Sequence, residues 1–393
     1  MLTDLDPLMA ARNIGALIVP MHEAMHASFR WMTRGARVTR GYAVKVAGKE
    51  PVLIAYPMER DEAAASGVQV RGIQEYGNES IFRSAPNPVR AYADFFGRVL
   101  RDAGADGPVA FFGNAPLHLY LGVAAEMQRD GWRIVRSNGE DILQLARKRK
   151  EPHEIEAIRS VGARTERIID GVRKMLRTCE AGRTTLIGEI KNFISLEIAR
   201  LSMIEDHETI VSQGRDAGVP HSRGDARAEV LLGVPLVVDI FPADRSSGYF
   251  FDLTRTFCIG TVPDELRRIH ADVLDAFTVA AREMKAGQQA SASQTLVCDA
   301  FEAKGYPTTR SDPSTLEGYV HSLGHGVGLD IHEKPSFSLA PGNRDLIEVG
   351  DVLTIEPGLY FPDREIGVRI EDTFVVTEAG VESLCRSSRE LAP

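Results

Sequence analysis

The stretch 236–258 of this chain, LVVDIFPADRSSGYFFDLTRTFC, sets acidic residues inside apolar, strand-forming sequence. Apolar runs flank a Ser-Ser-Gly cluster, which predicts a hairpin. Asp239 and Asp252 lie on opposite arms, symmetric about positions 245 and 246. That register puts both side chains on one face, with Cβ atoms about 4.5–5.5 Å apart. Two carboxylates so close repel unless a cation lies between them, and a lone carboxylate in an apolar strand is costly. The stretch 352–376, VLTIEPGLYFPDREIGVRIEDTFVV, has the same layout. Glu356 and Glu371 flank a turn centred near Asp363 and Arg364. The spacing within each pair is odd, as facing positions on a hairpin require.

Between the two hairpins runs HSLGHGVGLDIHEKPSF, residues 321–337, with His321, His325 and His332. Four carboxylates and an imidazole suit two divalent ions sharing oxygen ligands. Such a donor set fits manganese, cobalt, iron or zinc. Two ions about 3.5–4 Å apart can bridge a water, lower its pKa and polarise a carbonyl, which implies hydrolysis.

Composition narrows the partners. The net charge of −9 argues against nucleic acid, which needs a basic face, and against an anionic membrane surface. The four cysteines, Cys179, Cys258, Cys298 and Cys385, are scattered without a Cys-x-x-Cys pair, as in a reducing compartment. The first residues, MLTDLDPLMAARNIGALIVP, lack the basic and then apolar pattern of a signal peptide. A cytoplasmic protein is expected.

The sequence predicts two domains. Residues 1–146 alternate strand-like pieces (15–20, 42–48, 51–56, 108–113) with helical ones (90–104, 117–131), a small α/β domain. Residues 147–393 mix helices, near 152–176, 185–201, 263–285 and 290–304, with the strand pairs that carry the acids. The basic run Arg147 to Lys150 at the junction reads as a solvated linker. His22 and His26 stand at helical spacing, and their expected place is an exposed amphipathic turn. His153 and His207 read as surface histidines.

GYFFDLTRTF, HSLGHGVGLDIHE, TIEPGLY and GVRIEDT, in this chain order, resemble the pita-bread metallopeptidases: methionine aminopeptidase, prolidase, aminopeptidase P and the creatinases. The resemblance covers about residues 145–385. The N-terminal α/β domain and the ARKRKEPHEIEAIR junction are similar to the prolidase, aminopeptidase P and creatinase branch. The implied fold is an α/β N-terminal creatinase-like domain followed by an α+β pita-bread catalytic domain.

The resemblance also implies roles. Asp239, Asp252, His325, Glu356 and Glu371 match the metal ligands of a site for two divalent ions, manganese first, with cobalt, zinc or iron as alternatives. Asp252 and Glu371 match the bridging pair. Glu356 doubles as general base. His221, His321 and His332 match histidines that contact substrate, while Arg369 and Tyr360 match supports of the metal centre and substrate carbonyl. Thr254 stands behind the ligands. The implied enzyme is a cytoplasmic homodimer that cleaves small peptides with proline at the second position, through a metal-bridging hydroxide. Rival readings are a lyase such as dimethylsulfoniopropionate lyase, a creatinase-like amidinohydrolase, and a peptide-binding module without catalysis. One departure stands out: Phe241 occupies a position that is usually glycine, and the loop to Asp252 is about two residues longer than usual.

Overall fold

The computed structural model describes residues 4–22, 24–135 and 139–393. The chain divides into two compact units, Met1–Arg147 and Lys148–Pro393.

The first unit is built on a mixed five-stranded sheet of β1 (Ala16–His22), β2 (Arg40–Val46), β3 (Val52–Ala55), β4 (Gln69–Gly72) and β5 (Val109–Phe111). Their order is β4-β3-β2-β1-β5, with β1 antiparallel to β2 and parallel to β5. The apolar run of β1 is continuous because both of its faces are covered. Leu17, Val19 and Met21 enter one core, and Ala16 and Ile18 the other. The second core packs under the helices Pro88–Asp102 and Leu117–Arg129.

The expected turn around His22 and His26 is not there. β1 runs through His22, whose Nε2 lies 2.8 Å from the Tyr120 hydroxyl. His26 instead caps the helix Ala27–Met32, with Nε2 2.9 Å from the Pro20 carbonyl. The helical spacing was accidental, since a strand ends between the two rings.

The second unit opens with a long helix, Pro152–Glu180. Pro152 fills its first turn, where no N–H is needed, and the Glu154 carboxylate accepts the Glu151 N–H at 2.7 Å. Its buried stripe of Ile158, Val161, Ile168, Val172 and Leu176 recurs at helical spacing. A helix Ile187–Arg200 packs beside it. Gly162 lets the long helix approach the carboxylate hairpin, because a Cβ there would overlap the ring of Phe251.

The strands of this unit are β6 (Met203–Ile204), β7 (Ile210–Gln213), β8 (Pro235–Ile240), β9 (Ala243–Asp244), β10 (Leu253–Cys258), β11 (His325–Gly326), β12 (Glu333–Ser336), β13 (Val352–Ile355), β14 (Gly358–Phe361), β15 (Ile366–Arg369), β16 (Asp372–Thr377) and β17 (Gly380–Ser383). They form sheets ordered β10-β8-β7 and β12-β11-β13-β16-β17, with pairs β14-β15 and β6-β9. Helices Asp264–Glu283 and Ala290–Ala303 pack with β13 to β16 in a second core.

The basic run is not the solvated linker expected, although Arg149 within it is exposed. Arg147, Lys148 and Lys150 are all buried. Each finds an acceptor: Arg147 reaches the Ser28 hydroxyl, Lys148 reaches Glu348 and Asp351, and Lys150 reaches Glu333. Partners so distant in sequence give no local sign that the charges are neutralised. No helix among the described residues is long and apolar enough to cross a membrane.

Candidate metal centre

The two hairpins bring the carboxylates together, one of them in a register that differs from expectation. Asp239 pairs across β8 and β10 with Thr254, and not with Asp252. A bridge between Ala243 and Phe250 prolongs the hairpin in this same register. The Asp244 carboxylate closes the turn by accepting the N–H groups of Ser246 and Ser247 at 3.0 and 2.7 Å. The turn is thus centred two positions further along in pairing sum, and a shift of two keeps Asp252 on the face of Asp239. The start of β10 is tied to β16 instead, where the Thr373 hydroxyl accepts the Asp252 N–H and donates to its carbonyl.

The second hairpin has the expected register. Ile355 pairs with Asp372 on one ladder and Gly358 with Arg369 on the next. Glu356 and Glu371 face each other at the joint between the ladders.

Asp252, His325 and Glu371 each offer a ligand atom within 4.8 Å of the others. His325 Nε2 is 3.6 Å from Asp252 Oδ2 and 3.5 Å from Glu356 Oε1. Asp239 joins through Arg369, whose Nη2 is 2.6 Å from Asp239 Oδ2. The Thr254 hydroxyl donates to Glu371 at 2.6 Å and accepts from Arg369 Nε at 3.2 Å. Thr354 lies 3.5 Å from Glu356.

The protonation of His325 follows from its neighbours. Nδ1 lies 3.1 Å from the Gly326 carbonyl, which can only accept, so Nδ1 carries the proton. Burial and the nearby His332 hold its pKa down to about 3. A neutral ring therefore turns its Nε2 lone pair toward carboxylate oxygens, a repulsive contact unless a metal cation or a proton sits between them. One oxygen each of Asp239, Asp252 and Glu371 is buried without a hydrogen-bond partner. Burial, with repulsion from Glu371, holds Asp252 and Glu356 well above the usual carboxylate range. Burial and Asp239 push Glu371 up to about 8. These buried oxygens and one imidazole nitrogen form a donor set that fits hard or borderline divalent ions.

A second chain of contacts runs away from the ligands. Arg369 Nη1 donates to the Tyr360 oxygen at 2.9 Å and to the Pro220 carbonyl at 3.2 Å. The Tyr360 hydroxyl lies 2.8 Å from His321 Nε2, and His321 Nδ1 lies 2.8 Å from the Ser322 carbonyl. His321 is therefore protonated at Nδ1 and accepts from Tyr360 at Nε2. Burial and Arg369 hold its pKa down to about 3. Both of its nitrogens are engaged, so His321 fixes the tyrosine.

His332 and His221 are exposed. The His332 ring lies 4.3 Å from that of His325 at 70°. Burial of part of this ring, followed by the charges of His221 and His207, lowers its pKa. His207, read from sequence as a bland surface residue, is thus an electrostatic neighbour of His332. Sequence reasoning also missed Arg255. Its guanidinium is buried and donates to the Thr254 and Glu371 carbonyls at 2.8 and 2.7 Å, and to Asp372 at 2.7 Å. An arginine and an aspartate, each inside an apolar strand, were the readable signal.

This fold and donor set define a class. The family model of metallopeptidase family M24 matches residues 156–378, and the chain belongs to that family. It is 35% identical over 185 residues to a Xaa-Pro dipeptidase of Pyrococcus furiosus, covering 47% of this chain and 49% of that one. It is 35% identical over 184 residues to an uncharacterized peptidase of Bacillus subtilis, covering 47% and 48%. These alignments span about half the length of those relatives. Among solved structures, a Xaa-Pro dipeptidase from Bacillus anthracis superposes with TM-score 0.78 at 22% identity over 99% of this chain and 98% of that one. The prolidase from Pyrococcus horikoshii gives 0.77 at 21% over 99% of both. The fold is the pita-bread architecture preceded by an α/β creatinase-like unit.

Proposed function

We propose that this protein is a dinuclear-metal Xaa-Pro peptidase that cleaves the bond before proline in small peptides, with dipeptides as its first substrates. The observation that carries the reading is the gathering of ligand atoms of Asp252, His325 and Glu371 within 4.8 Å of one another, in a site where one oxygen each of Asp239, Asp252 and Glu371 is buried without a hydrogen-bond partner. The sequence relatives named Xaa-Pro dipeptidase support the choice of substrate.

Asp239, Asp252, His325, Glu356 and Glu371 would hold two divalent ions, with Asp252 and Glu371 shared. Bound there, the ions supply an activated water and an electrophile for the scissile carbonyl. The residues do the rest. Glu356, directly after strand β13, takes up a proton at Oε1 or Oε2 and keeps it within reach. Arg369 pairs with Asp239 and holds the Tyr360 hydroxyl toward His321. His221 and His332, on the exposed rim, orient the peptide, and His332 donates a proton to the leaving imide nitrogen. The α/β unit of residues 1–147 corresponds to the N-terminal domain of prolidases in this reading.

The test is hydrolysis of matched Xaa-Pro and Xaa-Ala peptides, two residues and longer, by metal-stripped protein reloaded with manganese. Manganese-dependent cleavage confined to Xaa-Pro dipeptides is expected. Cleavage of longer Xaa-Pro peptides alone would make it an aminopeptidase P. No cleavage by folded, two-metal protein would overturn the peptidase reading. It would favour a non-peptide substrate and direct attention to Phe241, half-buried beside the ligand hairpin.

A further inference from the structure

The basic run that ends at Lys150 leads to an ion pair behind the histidine loop. The Lys150 and Glu333 side chains are 1% and 0% exposed, with Nζ 2.8 Å from Oε2. Lys150 Nζ also donates to the Lys148 carbonyl at 3.0 Å, and its backbone N–H donates to the Gly350 carbonyl at 2.8 Å. The cation is therefore anchored by main chain next to the strand β13 that leads to Glu356. The other Glu333 oxygen, Oε1, accepts the backbone N–H groups of Leu329 and Asp330, both at 3.0 Å. The carboxylate thus closes the turn 328–333 from the inside.

The turn is tied at a second point. The Phe250 N–H donates to the Gly328 carbonyl at 2.8 Å, which links the turn to the hairpin of Asp239 and Asp252. Gly328 is required here, because any Cβ would overlap the Glu333 carboxylate. Between the two ties sits His332, adjacent to Glu333, with its ring against the ring of His325.

A buried ion pair adds little net stability, because desolvation offsets the attraction, and apolar replacements are often neutral. What it does supply is direction. A carboxylate that must face one ammonium and two N–H groups has one orientation, and the residue before it inherits that orientation. A displacement of about 1 Å in a catalytic group can lower turnover by about a hundredfold.

We propose that Lys150 and Glu333 are positioning residues for His332: the buried pair sets the turn 328–333 and thereby the distance of the His332 ring from the candidate metal centre. The kinetic arm of the test rests on the proposed peptidase activity, and the spectroscopic arm does not.

Glu333→Gln keeps the shape and the acceptor for Leu329 and Asp330 but removes the charge. In manganese-loaded protein it should lower kcat about tenfold or more on an Xaa-Pro dipeptide, with KM and metal content little changed. In a His332→Ala background the same substitution should leave kcat unchanged, because residues acting as one unit are not additive. Lys150→Met is the second variant, in case Glu333→Gln does not fold, and Lys150→Arg should restore most of the activity lost by Lys150→Met. In metal-free protein the imidazole resonances of His332, assigned by their loss in His332→Ala, should shift in Glu333→Gln and Lys150→Met. Those of His118 and His270 should stay in place. A His332 resonance that stays put in a folded variant overturns the proposal, as do equal kcat losses in both backgrounds. If the wild type cleaves no Xaa-Pro peptide, the peptidase reading fails while the resonances still decide the positioning.

Discussion

At the scale of single residues, the centre is an imbalance of charge. Asp239, Asp252, Glu356 and Glu371 are gathered around one buried cation, Arg369, which is committed to Asp239. Without metal, protons must supply the missing positive charge. Glu371, with an ordinary value of 4.5, is pushed up to about 8 in the folded chain by burial and its neighbours. The folded state then binds more protons than the unfolded one across that window. Stability is full at the acid end and falls as pH rises from about 4.5 toward 8. Each unit of such a shift corresponds to about 1.4 kcal/mol, and Asp252 and Glu356 move in the same direction. The melting temperature of metal-stripped protein should therefore drop between about pH 5 and pH 8, and manganese should abolish the drop. A flat or rising profile for the stripped protein would mean that these carboxylates do not share protons in place of metal.

At the scale of elements, the hairpins choose which residues meet, and the long helix holds one hairpin in place. Gly162 of the helix Pro152–Glu180 lies against Phe251, the residue before Asp252. Gly162→Leu should push the helix and hairpin apart. Overpacking of this kind costs about 1–3 kcal/mol, which urea denaturation would measure, and manganese affinity should fall with it. Unchanged affinity in the destabilised variant would show that the helix does not set the position of Asp252. Much of this arrangement was legible in the sequence, for reasons that differ between the two hairpins. Glu356 and Glu371 face each other as expected, because one register runs through both ladders. Asp239 and Asp252 do not, because Ala243 and Phe250 carry the pairing further into the loop. Asp244, with Ser246 and Ser247 two and three residues further on, was the readable sign of where that turn closes. The buried state of Lys148 and Lys150 had no local sign at all, since their partners Asp351 and Glu333 lie far along the chain. The protonation of His325 and His321 was equally hidden, because it depends on which backbone carbonyl each Nδ1 meets.

At the scale of the whole molecule, every candidate ligand falls between Asp239 and Glu371, inside the unit Lys148–Pro393, and none in Met1–Arg147. Metal binding should therefore stabilise one unit and leave the other alone. A ligand at a hundred times its dissociation constant stabilises the state that binds it by about 2.7 kcal/mol. Amides that exchange only when that state opens should slow by about a hundredfold. Hydrogen exchange followed by mass spectrometry, with and without manganese, should show this slowing in β8, β10, β11, β13 and β16, which carry or flank the ligands. Strands β1 to β5 should exchange at the same rate in both conditions. Slowing of equal size in β1 to β5 would mean that metal is felt across the whole chain, and the placement of the centre within the second unit alone would no longer account for its effect. Slowing in neither unit, with metal retained, would mean that the ions sit somewhere other than among the five candidate ligands.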